Sequence, residues 1–449
     1  MRTSSTRHRG RRAATTAVLG LLLVGAAGTP ANAESIREKQ WFLDAMKAEQ
    51  MWQTSTGKGI TVAVIDSGID PDNLDLKGRV LSGKDLAPEQ PGDEHTDYEG
   101  HGTGMAGLIA GTGAYGGGQG AFGLAPGAKI LPIRMPKSET AANQAEAGKQ
   151  FNKVGSEAIR YAADAGAQVI NISLGHTTGS PQLTEAVKYA LNKGSLIFSS
   201  VGNSGATTNR VEYPAATPGV VGVAAVGKNL RRTAESEYGP QVDMAAPGED
   251  MVAACGSESG LCRTHGTSDA TALASASAAL IWSKHPTWTN NQVLRVMLNT
   301  IGAPTDGKKR NDAIGYGIVR PRIALQNPGD PGKADVYPLP DLKAAASQSP
   351  SSGTTVNEGS NDTGAPAEQK TSVSASKDNS GVLWIALGSG GVVLTGGAIA
   401  LVMRRRRKPA GVPLPPVTSG QFSYPETGFT SPPGAPGGGY PPGQGPGAG

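Results

Sequence analysis

Three side chains of this 449-residue sequence are of the types that together activate a hydroxyl group: Asp66, His101 and Ser268. A serine hydroxyl is a poor nucleophile at neutral pH until a neutral imidazole takes its proton. A carboxylate on the other ring nitrogen then holds the imidazole in the required tautomer. Each of the three stands among small residues. Asp66 follows the apolar run ITVAVI at 60–65, His101 lies between Gly100 and Gly102 in EGHGTGMAGLIAG, and Ser268 opens the alanine-rich run of GTSDATALASASAAL, Gly266 to Leu280. Singly, each has a plainer account: a turn aspartate beside Gly68, a structural histidine, a serine that caps a helix. A serine at a helix start also has its own N–H and the positive end of the helix dipole beside it, which suits a developing oxyanion.

The elements around these residues predict how they meet. Apolar, β-branched runs at 60–65, 129–134, 168–173, 196–201 and 220–226 are continuous rather than alternating, the mark of strands buried on both faces. Helical stretches near 102–110, 153–165, 181–193, 268–284 and 290–299 separate or follow them. The alternation predicts an α/β fold, a mostly parallel central sheet flanked by helices with right-handed crossovers. Asp66 then sits at the carboxyl end of its strand, where such sheets place reacting groups. The small side chains after Ser268 predict a buried helix that starts at the nucleophile candidate. Gly111 to Gly116 fits a GxGxxG pattern but follows a helix, so it reads as a surface loop rather than a dinucleotide site.

The three strings also occur jointly, in the order Asp, His, Ser. VAVIDSGID, GHGTGMAG and GTSDATA resemble the corresponding signatures of the subtilisin-like serine protease family, with the resemblance running from about Trp41 to Leu325. It implies a subtilisin-like fold and a serine endopeptidase acting on a protein or peptide substrate, with no cofactor. Asp66 would orient, His101 would act as base and Ser268 as nucleophile. SSVGNSG, 199–205, resembles the family's oxyanion segment, so the Asn203 amide and the Ser268 N–H would bind the oxyanion. NISLGH resembles the substrate strand, in which Ser173, Leu174 and Gly175 offer backbone groups to an extended peptide, with His176 on a solvent-facing loop. Two residues depart from the family pattern: Asp269 replaces an apolar residue, and Ala272 stands where proline is usual. A carboxylate in the first turn favours the helix but opposes a nearby oxyanion unless it points away or is neutralised.

Composition sets the ends apart. Residues 1–33 carry five arginines, an apolar run from Ala13 to Ala27 and Ala31-Asn32-Ala33, the pattern of a signal peptide cleaved before Glu34. Residues 34–57 are expected to wrap the peptidase domain, 58–326. Too little chain precedes Asp66 for the usual folding-assistant propeptide. Residues 327–380 are rich in Pro, Ser and Gly and read as a disordered stalk. The uncharged run 382–403 is long enough for a transmembrane helix, and Arg404 to Lys408 form a basic stop before a Pro/Gly-rich cytoplasmic tail ending at 449. The expected location is the cell membrane, single-pass, with the catalytic domain extracytoplasmic. The +4 formal charge rests on the basic leader and stop; the exported remainder is net negative, which removes the case for nucleic acid. Cys255 and Cys262 are expected to pair in that compartment, and no cluster has metal-ligand spacing, the acidic stretch Asp70 to Asp75 included. This architecture, with QMWQTSTGKGITVAVID and GYGIVRP, resembles the mycosins, membrane-anchored subtilisin-like proteases associated with type VII secretion. Mycosins often carry a cysteine just before the histidine motif; here Tyr98 occupies that neighbourhood. The mycosin resemblance implies limited processing of an exported protein, with a type VII secretion complex as a partner. A second class stays open through Asp269, a weakly active or inactive domain serving as a structural component of such a complex.

Overall fold

The strands alternate in what they bury. Val62 and Val64 of the first strand join one apolar core and Ala63 and Ile65 a second, so the run has no face left for polar residues. The computed structural model describes residues 35–137, 141–256 and 260–348. Its strands are β1 (Thr61–Asp66), β2 (Lys84–Asp85), β3 (Lys129–Arg134), β4 (Val169–Ile172), β5 (Leu196–Ser200), β6 (Val221–Val226), β7 (Met244–Pro247), β8 (Met251–Ala254) and β9 (Leu261–Thr264). Its helices are α1 (Ile36–Lys39), α2 (Trp41–Met46), α3 (Ala48–Trp52), α4 (His101–Ala110), α5 (Gln144–Asp164), α6 (Pro181–Asn192), α7 (Thr267–Lys284), α8 (Asn290–Asn299), α9 (Pro321–Gln326) and α10 (Asp341–Gln348). Seven strands form one sheet in the order β2-β3-β1-β4-β5-β6-β7, every pairing parallel. The expected α/β class with a parallel central sheet is the observed one.

Helices α5 and α6 cover one face of this sheet, and α4 and α7 the other. From Thr267 to Trp282 every residue of α7 is buried, with side chains that are mostly Ala, Ser and Thr. Their small size lets the helix run close over the middle of the sheet, and an added methylene row would overpack it by about 1–3 kcal/mol. Buried hydroxyls find acceptors: Thr271 and Ser277 bond back to the carbonyls of Thr267 and Leu273. Ser275 Oγ donates to Asn171 Oδ1 in β4 at 3.0 Å, which fixes α7 against the strand next to β1.

The elements depart from the sequence expectations in three places. The helix expected at 153–165 begins at Gln144, where Asn143 accepts the Glu146 N–H, because its first half is polar and carries little apolar period. Strand β7 and the antiparallel hairpin β8–β9 are additional elements. The stalk boundary at 327 is also corrected. Arg295 donates to the carbonyls of Pro331, Lys333 and Val336, Leu339 is 3% exposed, and Asp341 accepts the Gly219 N–H at 2.5 Å. Residues from 328 to Asp341 are therefore held on the domain despite their Pro/Gly composition.

The segment before β1 is tied across the fold. Phe42 and Leu43 are fully buried, Gln40 bonds Phe122 and Val252, and Trp52 Nε1 donates to Leu124 O. Among the described residues no helix is long and apolar enough to cross a membrane. The expected leader, 1–33, and the apolar run at 382–403 lie outside the described residues.

Candidate active site

Parallel strands end at one edge of a sheet, and the site is built on that edge. Asp66 is the last residue of β1, fully buried. Its Oδ1 accepts from His101 Nδ1 at 2.7 Å and from the Ser67 N–H at 2.8 Å. His101 is the first residue of α4, and Gly102 lets that helix approach: a Cβ there would collide with the Gly68 carbonyl. Asp97 fixes the helix start. Its Oδ2 accepts from Thr103 N at 2.7 Å and Thr103 Oγ1 at 2.6 Å, while Oδ1 accepts from Gly100 N and from Ser67 Oγ. Ser67 Oγ in turn accepts the Gly102 N–H at 3.0 Å. Strand end and helix start are thus one hydrogen-bonded unit, and neither Asp97 nor Ser67 was singled out from sequence. The only signal was an aspartate three residues before Gly100, a cap-like spacing.

Ser268 lies in the first turn of α7, but it is not the cap. The N-cap is Gly266 at φ 133°, a left-handed-side conformation that favours glycine. The cap account of Ser268 therefore fails. Its Oγ donates to the Ser173 carbonyl at 3.2 Å, and Ser173 Oγ accepts from Asn171 Nδ2 at 3.0 Å. No hydrogen bond joins Ser268 to His101 here. Burial opposes charge on His101, but the charge and hydrogen bond of Asp66, with the charges of Asp269 and Asp97, outweigh it and push His101 up from its ordinary 6.5 to about 9. Below that pH the ring has no lone pair to offer a hydroxyl.

Asn203 follows β5. Its Oδ1 accepts from Thr267 N at 2.9 Å and Thr267 Oγ1 at 3.1 Å, which fixes the amide orientation and leaves Nδ2 without a partner. Asn203 Nδ2 and the Ser268 N–H are therefore candidate donors to an anionic oxygen. Thr267 is a positioning residue that the sequence showed only as a small hydroxyl. Ser173, Leu174 and Gly175 follow β4, and it is the Ser173 carbonyl that meets Ser268 Oγ. His176 is not on a solvent-facing loop. It bridges to Tyr213 through two backbone hydrogen bonds and its ring stacks on Phe151.

Asp269 is engaged by the β8–β9 hairpin. It is 1% exposed and accepts from Thr264 Oγ1 in the β8–β9 hairpin. Burial raises it to about 6 against the opposing pull of Thr264, His101 and His265. The hairpin itself is closed by Cys255–Cys262, which the structure joins, and Asn73 Nδ2 donates to the Cys255 carbonyl at 2.8 Å. Among the described residues no group of His, Cys, Asp and Glu is arranged to hold a metal ion.

A parallel sheet whose strand ends bring a paired Asp and His, a helix-start serine and an orientated amide to one edge has the plan of an α/β serine peptidase. The chain belongs to the subtilase family, whose sequence profile matches residues 57–317, and it is a subtilisin-like serine endopeptidase. It is 35% identical to thermitase from Thermoactinomyces vulgaris over 210 residues, 47% of this chain and 70% of thermitase. Among solved structures it is similar to the MycP3 protease from the type VII (ESX-3) secretion system, at 32% identity and a TM-score of 0.56 over 67% of this chain and 90% of that one. It is also similar to a chain in the periplasmic assembly from the ESX-5 inner membrane complex, at 27% identity and a TM-score of 0.55 over 66% and 87%.

Proposed function

We infer that this chain is a membrane-anchored endopeptidase acting outside the cytoplasm, which performs limited processing of an exported protein in connection with type VII secretion. The observation that carries the chemistry is the 2.7 Å Asp66–His101 pair at the strand end, with Ser268 and the Asn203 amide across the same edge. An extended peptide adds beside Ser173–Gly175, and its carbonyl oxygen takes the Ser268 N–H and Asn203 Nδ2. Neutral His101 accepts the Ser268 proton as Oγ bonds to the carbonyl carbon. Asp66 stabilises the imidazolium that forms. The imidazolium then protonates the leaving amine as the C–N bond breaks, and water releases the acyl group by the same steps in reverse. The apolar run 382–403 and the basic stop after it support the anchor, and the leader at 1–33 supports export.

The second reading, a structural part of a membrane secretion complex, is favoured by the likeness to a chain of the ESX-5 assembly. Replacing the chain in cells by its Ser268→Ala form separates the two. The endopeptidase reading expects a co-exported protein to accumulate uncleaved by intact mass. Unchanged processing with the variant contradicts it.

A further inference from the structure

Two carboxyl groups outside the Asp66–His101 unit lie behind the peptide-binding edge. Glu212 is half-buried against the substrate strand: a methyl on Gly175 would come within 2.5 Å of its Oε2. Glu237 is fully buried behind the loop that carries Asn203, and a methyl on Gly202 would come within 2.5 Å of its Oε1. Its Oε1 accepts from Ser204 Oγ at 2.6 Å, but its Oε2 has no partner at all. Glu212 accepts no side-chain hydrogen bond, and neither residue pairs with a cation among the described residues. Burial and the neighbouring charge of Glu237 push Glu212 up to about 7, with no opposing positive group. A carboxylate oxygen buried without hydrogen bond or counter-charge, as Glu237 Oε2 is, is unfavourable, and with the half-buried Glu212 carboxyl near it the pair is placed for a cation that arrives from outside.

The position of that cation follows from the peptide. The residue whose carbonyl lies between Ser268 and Asn203 has Ser173–Gly175 on one side and Gly202–Asn203 on the other. A side chain of that residue entering between the two walls would meet Glu212 beside Gly175 and Glu237 beside Gly202. Each wall there is a glycine backed by one of the carboxyl groups. We propose that Glu212 and Glu237 select a lysine or arginine at the substrate residue whose carbonyl Ser268 attacks. Glu212 would meet the charged end directly. Glu237, held by Ser204, would supply the second charge from below.

This rests on the endopeptidase reading, and the test separates the two. Matched peptides carrying arginine, its neutral isostere citrulline, or leucine at that residue are hydrolysed by the full chain at alkaline pH. The expected kcat/KM for arginine exceeds that for citrulline by about tenfold or more. Glu212→Gln is expected to lower the arginine-to-citrulline ratio by about tenfold, mostly through KM, whereas a merely structural role would lower both peptides alike. In parallel, benzamidinium binding to the Ser268→Ala form is followed by thermal shift, with and without Glu212→Gln. Binding that the glutamine variant weakens supports the cation site even if no peptide is cleaved, a result that would count against the endopeptidase reading alone. Equal rates for arginine and citrulline, a ratio unchanged in Glu212→Gln, or no benzamidinium binding each overturns the proposal.

Discussion

The two sides of the site satisfy their polar groups in opposite ways. On the His101 side, Asp97 makes several hydrogen bonds, Ser67 joins Asp66 to Asp97, and Asp66 holds His101 at 2.7 Å. On the Asn203 side, the amide donors of Asn203, the Glu237 Oε2 and the Glu212 carboxyl have no partners. The first side is mostly engaged before substrate arrives, with Asp66 Oδ2 the buried oxygen left without a partner among the described residues, and the second leaves more of its donors and acceptors open. In the proposed mechanism the preorganised groups do the proton transfer; of the groups left open, the Asn203 amide meets the oxyanion and the two carboxyls carry the recognition.

The largest expected effect is on the open side. Asn203→Ala removes one oxyanion donor and is expected to lower kcat by about 10²–10³ with little change in KM, a figure borrowed from a subtilisin that is the principle's own example. Steady-state kinetics on one peptide substrate checks this, and a loss confined to KM would move Asn203 from transition-state to ground-state binding.

On the closed side, Asp97→Asn keeps the shape but weakens the start of α4 and removes one of the charges that raise His101. Activity at alkaline pH is expected to fall by about tenfold. The acid limb of the kcat/KM profile should also move to lower pH. A loss of rate without that movement would make Asp97 a structural cap only.

The smallest effect concerns pH itself. In the proposed mechanism neutral His101 is the base, so kcat/KM is expected to rise with pH and level off above about 9. Stability runs the other way. A histidine raised in the folded state stabilises it fully below its ordinary 6.5, and that contribution is lost as pH climbs through about 9. Asp269→Asn removes a charge that raises His101, so the acid limb should shift downward and activity at neutral pH should increase several-fold. An unchanged limb would show that Asp269 and His101 do not communicate.

Much of this was legible in the sequence because glycine marks it. Gly68 and Gly102 stand where backbone passes close to backbone, Gly100 and Gly266 where a helix start takes a positive φ, and continuous β-branched runs marked five of the strands. What escaped reading lacked a period. Met244–Pro247 is only four residues long and ends in proline, and the hairpin strands Met251–Ala254 and Leu261–Thr264 are equally short. Residues 328 to Asp341 look like a linker by composition, yet the cation of Arg295 and the side chain of Leu339 hold them to the domain. Asp97, Thr267, Glu212 and Glu237 carry no motif because their roles depend on neighbours distant in the chain.

The central claim is that Ser268 is the nucleophile and His101 its base. Labelling of the purified full chain with a fluorophosphonate, followed by peptide mass mapping across a pH series, tests it most directly. A single adduct on Ser268 is expected, absent in Ser268→Ala and in His101→Ala, forming faster as pH rises toward about 9. No adduct under conditions that label a control subtilisin, an adduct on another residue, or a rate indifferent to pH would contradict the account.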